Sequence, residues 1–206
     1  MLCQHRLGLL HLSTGAIFRE QMARKSALGE RVRRYVTNGR LVPDELVVEV
    51  MAARLRRLPK ANSFILDGFP RTARQAAGLD RELTTEHRAL DAALYLSSRR
   101  STLVRRLTGR RVCARCGANY HIRTMRPKRA GACDQCRGPL TTRKDDEPAT
   151  IRRRLALDDR QTTPLLNYYK RQGLLYRVNG EGRIDTVFRR TLELFRKHGW
   201  QTRRGR

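Results

Sequence analysis

A chain of 206 residues, 39% hydrophobic and 31% charged, is long enough for one main domain with a sizeable core and small insertions. Its 45 Lys and Arg against 19 Asp and Glu leave a formal charge of +26. That excess points to anionic partners, and its spread over many arginine pairs argues against one dedicated basic tail. No apolar run approaches membrane-spanning length, and Leu9-Leu10-His11-Leu12 is too short for the core of a secretory signal, so no membrane association and a cytoplasmic location are expected.

In chain order, 7–12 reads as a strand broken by Gly8, after which Ser13-Thr14-Gly15 opens a helix with Ser13 or Thr14 as its cap. A helix N-terminus binds anions, and Arg19, about one turn further in, can meet the same ligand. A second helix is predicted over 27–37, with Leu28, Val32, Tyr35 and Val36 on one face and Asn38-Gly39 at its end. Arg40-Leu41-Val42 crosses to a third helix, announced by Pro43-Asp44-Glu45 and striped by Leu46, Val47, Val50, Met51 and Leu55.

Pro59 and Asn62 bracket a turn. Ser63-Phe64-Ile65-Leu66 then reads as a buried strand, followed at once by Asp67-Gly68-Phe69-Pro70-Arg71. Ligands of parallel α/β sheets sit beyond the carboxyl ends of strands. There Asp67 can act on a metal or its water, Arg71 can fork onto an anion, and Gly68 lets backbone approach a ligand closely. Thr72 can cap a helix to about Glu82, with Gln75 one turn in.

A strand at 92–96 leads into a helix with Leu103, Val104 and Leu107 inward, ending at Gly109. Arg106, Arg110 and Arg111 crowd that end, more cations than a helix dipole explains, which suits a polyphosphate. The insert at 112–139 lacks apolar periodicity and carries Cys113-x2-Cys116 and Cys133-x2-Cys136. Too small to build its own core, it needs a staple: two such knuckles suit a closed tetrahedral zinc site with a structural role, the alternative being a redox or disulfide role. Cys3 is left over.

After Thr141-Thr142-Arg143-Lys144-Asp145-Asp146, where Asp145 and Asp146 suit hinge-side salt bridges, a long helix starts at Glu147-Pro148 and passes Pro164, a kink or break, to Gln172-Gly173. Leu165, Leu166, Tyr168 and Tyr169 suit core packing. A strand at 174–178, a loop Asn179-Gly180-Glu181-Gly182, a helix turned inward by Ile184, Val187, Leu192 and Phe195, and a basic tail at 202–206 complete the chain.

Taken in order, Leu12-Ser13-Thr14-Gly15 with Arg19, Gly39-Arg40-Leu41-Val42, Asp67-Gly68-Phe69-Pro70-Arg71 with Gln75, Gly109-Arg110-Arg111, and Thr141 to Asp146 resemble adenylate kinase, over nearly the whole chain. The resemblance implies an α/β fold: a P-loop-kinase-like parallel sheet flanked by helices, an AMP-binding helical lobe at 13–42 and a zinc lid at 110–147. It implies transfer of a phosphoryl group from MgATP to AMP, with ATP, AMP and ADP as partners, zinc and magnesium as metals, and a monomer. By the same resemblance Thr14, Arg19, Arg40, Leu41, Val42, Gly68, Phe69, Pro70, Arg71, Gln75, Arg143 and Arg154 meet AMP, with Gln75 reading the adenine. Arg106, Arg110, Asn119, Tyr120 and Gly182 meet ATP. Arg71, Arg106, Arg110, Arg143 and Arg154 neutralise phosphate charge, and Asp67 orients magnesium water. Cys113, Cys116, Cys133 and Cys136 are the zinc ligands.

One departure stands out. The Gly-x-x-Gly-x-Gly-Lys loop with which such kinases begin does not occur in the 206 residues. Met1 to Leu7 resembles the tail of the helix that follows it, so a further stretch of roughly 15–20 residues is expected ahead of Met1, and loss of the family's central strand is expected to expose core. Two alternatives stay open: a truncated homologue, inactive or binding AMP alone, and a basic zinc-ribbon protein that binds nucleic acid.

Overall fold

The computed structural model describes residues 7–38 and 40–200. The expectations for 1–6, for Cys3, for Gly39 and for the tail fall outside them. Among the described residues, seven named α-helices accompany seven strands. The parallel strands form two separate pairs. β1 (Leu10–Ser13) pairs with β2 (Phe64–Asp67), placing Ser13 opposite Asp67. β3 (Ala93–Ser97) pairs with β7 (Leu175–Asn179). The lid is an antiparallel sheet in which β4 (Arg110–Cys113) lies between β5 (Asn119–His121) and β6 (Leu140–Thr141).

The helices follow their local signals. α1 (Thr14–Ala23) is capped by Ser13, whose hydroxyl accepts from the Ala16 amide at 3.4 Å. α2 (Ala27–Thr37) is capped by Ser26, and α3 (Asp44–Arg56) follows Pro43 with Asp44 and Glu45 in its first turn, where the helix dipole favours anions. α4 (Ala73–Thr85) is capped by Thr72 and runs one turn beyond the predicted end. α5 (Arg100–Thr108) stops at Gly109. A Cβ at Gly109 would come within 2.3 Å of His121 Nε2, so glycine is required where the lid begins. A 3-10 turn (Lys144–Asp146) leads to α6 (Pro148–Arg171), and α7 (Ile184–Lys197) closes the described chain.

Three local expectations are corrected. β1 begins at Leu10, and Leu7 is helical. Pro164 does not break α6: both Pro164 and Arg160, whose carbonyl loses its helical donor, are exposed, so that carbonyl stands open to solvent. On α5 the half-buried Leu103, Val104 and Leu107 share the inward side with the fully buried Thr102. On α7 the buried residues are Phe188 and Thr191, whereas Ile184, at the helix start, is 63% exposed.

The core is also displaced from the sheet. Its largest cluster joins Phe18, Val32, Val42, Leu46, Val47, Met51, Leu55, Phe69, Leu79 and Leu83, drawn from α1 to α4 and the segments around them. Parallel sheets are normally covered on both faces. Here, in the four parallel strands, Val178 alone is fully buried, and β2, expected to be buried, is half-buried with Asp67 exposed.

Candidate active site

The turn after β2 builds one wall of a cleft. Gly68 adopts φ +73°, a conformation side chains disfavour, and the Phe69–Pro70 bond is cis. The Gly68 carbonyl accepts from two donors, Thr14 Oγ1 at 3.1 Å and Arg71 Nε at 2.9 Å. Thr14 is therefore buried at the start of α1, and Arg71 is tethered while its terminal nitrogens stay free to meet an anion; the nearest acid, Asp158, is 4.0 Å away. Thr14, Arg19, Arg40, Leu41, Val42, Gly68, Arg71, Gln75 and Arg154 line one cavity. Phe69 instead turns into the core, so it supports the wall from behind.

A second wall is electrostatic. Arg110 forms a two-pronged pair with Asp146, whose side chain is wholly buried. Arg154 reaches Asp145 at 3.3 Å and Asp146 at 3.6 Å. The two hinge acids thus take the salt-bridge role their position suggested. Arg143 donates to Asn119 Oδ1 at 2.7 Å, yet its Nε is buried without a partner. Burial, then the neighbouring Arg19 and Arg110, push the Arg143 guanidinium down to about 10. Arg19 is lowered first by burial as well, with Arg110 and Arg154 acting in the same direction and Asp145 opposing. Four guanidiniums face two carboxylates in a partly dry pocket, an arrangement left short of negative charge.

Other predicted residues stand elsewhere. Arg106 donates to the carbonyls of Gly180 at 2.8 Å and Gly182 at 3.0 Å, strapping α5 to the loop after β7. Asp67 lies exposed at the end of β2, hydrogen-bonded to His11 Nε2 at 3.1 Å. Tyr120 gives its hydroxyl to Cys133 Sγ at 3.4 Å and accepts from the Asp134 amide at 2.7 Å, so its side chain belongs to the lid's interior. Three residues escaped the sequence reading: His11, Asp44 and Glu181. Only the polar character of His11 inside an apolar strand hinted at the first; the other two act across long stretches of sequence.

In the lid, Cys113, Cys116, Cys133 and Cys136 bring their sulfurs within 4.8 Å of one another. Two of these separations are 3.4 Å (Cys113–Cys136) and 3.5 Å (Cys116–Cys133), near the roughly 3.8 Å edge of a tetrahedron with Zn–S bonds of about 2.3 Å. The amides of Arg115 and Cys116 point at Cys113 Sγ, and the Tyr120 hydroxyl holds Cys133 down at about 6. Four convergent sulfurs, with amide donors on Cys113 and the Tyr120 hydroxyl on Cys133, fit a metal ion.

The adenylate kinase family model matches residues 2–174. An adenylate kinase of Clostridium botulinum (strain 657 / Type Ba4) is 46% identical over 187 residues, covering 91% of this chain and 87% of the relative. Those of Moorella thermoacetica, at 44% over 88% of this chain and 84% of the relative, and of Clostridium tetani, at 42% over 91% and 87%, are similar to it as well. With the α/β fold and the cation-lined cleft, these likenesses define a nucleoside monophosphate kinase. Within that class, the chain belongs to the adenylate kinase family.

Proposed function

We propose that the chain transfers a phosphoryl group reversibly between ATP and AMP, with the AMP phosphate seated between Arg71 and the Arg19–Arg143–Arg154 group. The observation that carries this placement is the buried, partnerless Nε of Arg143 beside other guanidiniums. A phosphate dianion supplies both the missing acceptor and the missing charge.

Little covalent chemistry is asked of a protein in phosphoryl transfer; position and charge neutralisation carry it. The Gly68 carbonyl presets Arg71 and Thr14. Asp146 presets Arg110 and Asp145 presets Arg154, so these arginines need little reorganisation when a phosphate arrives. Arg110 and Arg154 act on the moving group, while Arg106 and Gly182 form the ATP side through their shared strap. Magnesium bound with ATP would supply further charge neutralisation, and the exposed Asp67 carboxylate would hold one of its waters. The four lid thiolates would hold a structural zinc ion. A lid joined to the cleft through Arg143 and Asn119 excludes water as it closes.

The cleft measures about 100 Å³, narrower than the ~300–1,000 Å³ of typical ligand sites, so AMP entry widens it. Calorimetric titration of AMP into the wild type and Arg143→Ala, alongside ADP formation from MgATP and AMP, tests the placement. Saturable AMP binding weakened by Arg143→Ala is expected; unchanged binding rules it out.

A further inference from the structure

Gln75 is 2% exposed and lines the cleft from the first turn of α4. Its side-chain amide lies between two groups of fixed and opposite character. The Arg71 amide can only donate, and it meets Oε1 at 2.8 Å. The Asp44 carboxylate, when ionised, can only accept, and Oδ1 meets Nε2 at 2.8 Å. Turning the amide over would set oxygen against carboxylate and NH2 against N–H, losing both bonds inside a buried site. Asp44 is itself held. Its other oxygen accepts from Thr72 Oγ1 at 2.9 Å, and that hydroxyl accepts from the Gln75 amide N–H at 3.1 Å. Asp44, Thr72 and Gln75 therefore close a ring of bonds between the start of α3 and the start of α4.

Each end of the amide keeps one unused capacity, a second N–H and a second lone pair. A carbonyl oxygen and an N–H in this fixed order match a base edge that presents an amino group beside a ring-nitrogen acceptor. A 6-oxopurine presents the reverse: an oxygen acceptor beside an N–H donor. We propose that Asp44 is a specificity-determining positioning residue: by fixing which way Gln75 faces, it makes the cleft accept a 6-aminopurine nucleotide and reject its 6-oxo counterpart. The inference rests on the reading that the base of AMP lies against Gln75.

The test uses Asp44→Asn. Asparagine can accept from Gln75 or donate to it, so in the variant turning the Gln75 amide over costs the Arg71 bond alone instead of both. Affinities for AMP and for inosine monophosphate are measured by calorimetry on the wild type and the variant. The wild type is expected to prefer AMP. In Asp44→Asn the preference falls by about 10- to 100-fold, with inosine monophosphate bound more tightly than by the wild type, a gain that a merely weakened fold does not produce. An unchanged preference in a variant that still binds AMP overturns the role of Asp44. A wild type that does not bind AMP overturns the underlying reading instead. Should the variant fail to fold, the ¹H–¹⁵N spectrum of the wild type decides. One Gln75 side-chain amide proton, bonded to Asp44, is expected to exchange slowly; fast exchange of both overturns the proposal.

Discussion

The carboxylate of Glu181 caps the helix that starts at Arg100: Oε1 accepts from the Arg99 amide at 2.6 Å, and Oε2 accepts from Thr102 Oγ1 at 3.0 Å. α5 has no capping side chain of its own, because position 99 is an arginine. A residue of the loop after β7 does that work from across the fold, and Arg106 returns the contact by donating to Gly180 and Gly182. The bond from the Arg99 amide, then that from Thr102, hold Glu181 below the usual carboxylate value of 4.5. A depressed folded value means that the contribution is present above the unfolded value and fades as pH falls through the folded one. Glu181→Gln is therefore expected to lower the melting temperature at neutral pH, and the gap to the wild type is expected to close below pH 4.5. A gap independent of pH, followed by thermal unfolding from pH 7 downward, would show that the charge is not what caps the helix.

Asp146 is the most exacting acid in the cleft. It is fully buried and serves Arg110 and Arg154 together. Asp146→Asn keeps the shape and removes the charge, leaving two guanidiniums short of an anion. Breaking a buried pair from one side costs about 3–5 kcal/mol, readable in denaturant unfolding. Because a bound phosphate would restore negative charge at the same place, AMP is expected to stabilise the variant more than the wild type.

The four convergent thiols are expected to make lid folding depend on metal. Metal analysis of the purified protein is expected to find one equivalent of zinc, and chelation is expected to unfold the lid while the α1–α4 core stays intact. Cys113→Ser is expected to abolish zinc retention, since Cys113 receives the amides of Arg115 and Cys116. A protein that melts identically with and without chelator would remove the structural role from the metal.

Gly109 has no room for a side chain. Gly109→Ala drives a methyl into the His121 ring, which is anchored by the amides of Arg123 and Thr124. Overpacking of this kind costs about 1–3 kcal/mol. His121→Ala in the same chain opens the space, and recovery in the double variant is the check.

Local structure was legible wherever a cap and a stripe coincided. Leu28, Val32, Tyr35 and Val36, with Asn38 at the end, announce α2 with its observed bounds, and Pro43-Asp44-Glu45 announces α3. The cysteine spacing announced the lid's thiol cluster. What the sequence hid were contacts made across tens of residues. Asp44 reads as a helix-start acid, and its second task, holding Gln75, depends on α3 and α4 packing side by side. Glu181 reads as a loop residue because its helix lies far upstream. The inward face of α7 was misjudged because hydropathy alone favoured Ile184, where position at the helix end left it in solvent. The arginines carried no local sign of which would pair with acids and which would stay short of one.

The two parallel strand pairs have a consequence for handling the protein. Among the described residues each pair ends on both sides without a further strand, and open edges are templates on which neighbouring molecules can add strands. The charge of +26 keeps molecules of the 206-residue chain apart. Salt shortens that repulsion, from a range of about 30 Å at 0.01 M to about 3 Å at 1 M. Colloidal behaviour therefore inverts the usual habit of adding salt to a basic protein: the dilute buffer is the protective one, and concentrated salt brings the edges within reach of each other.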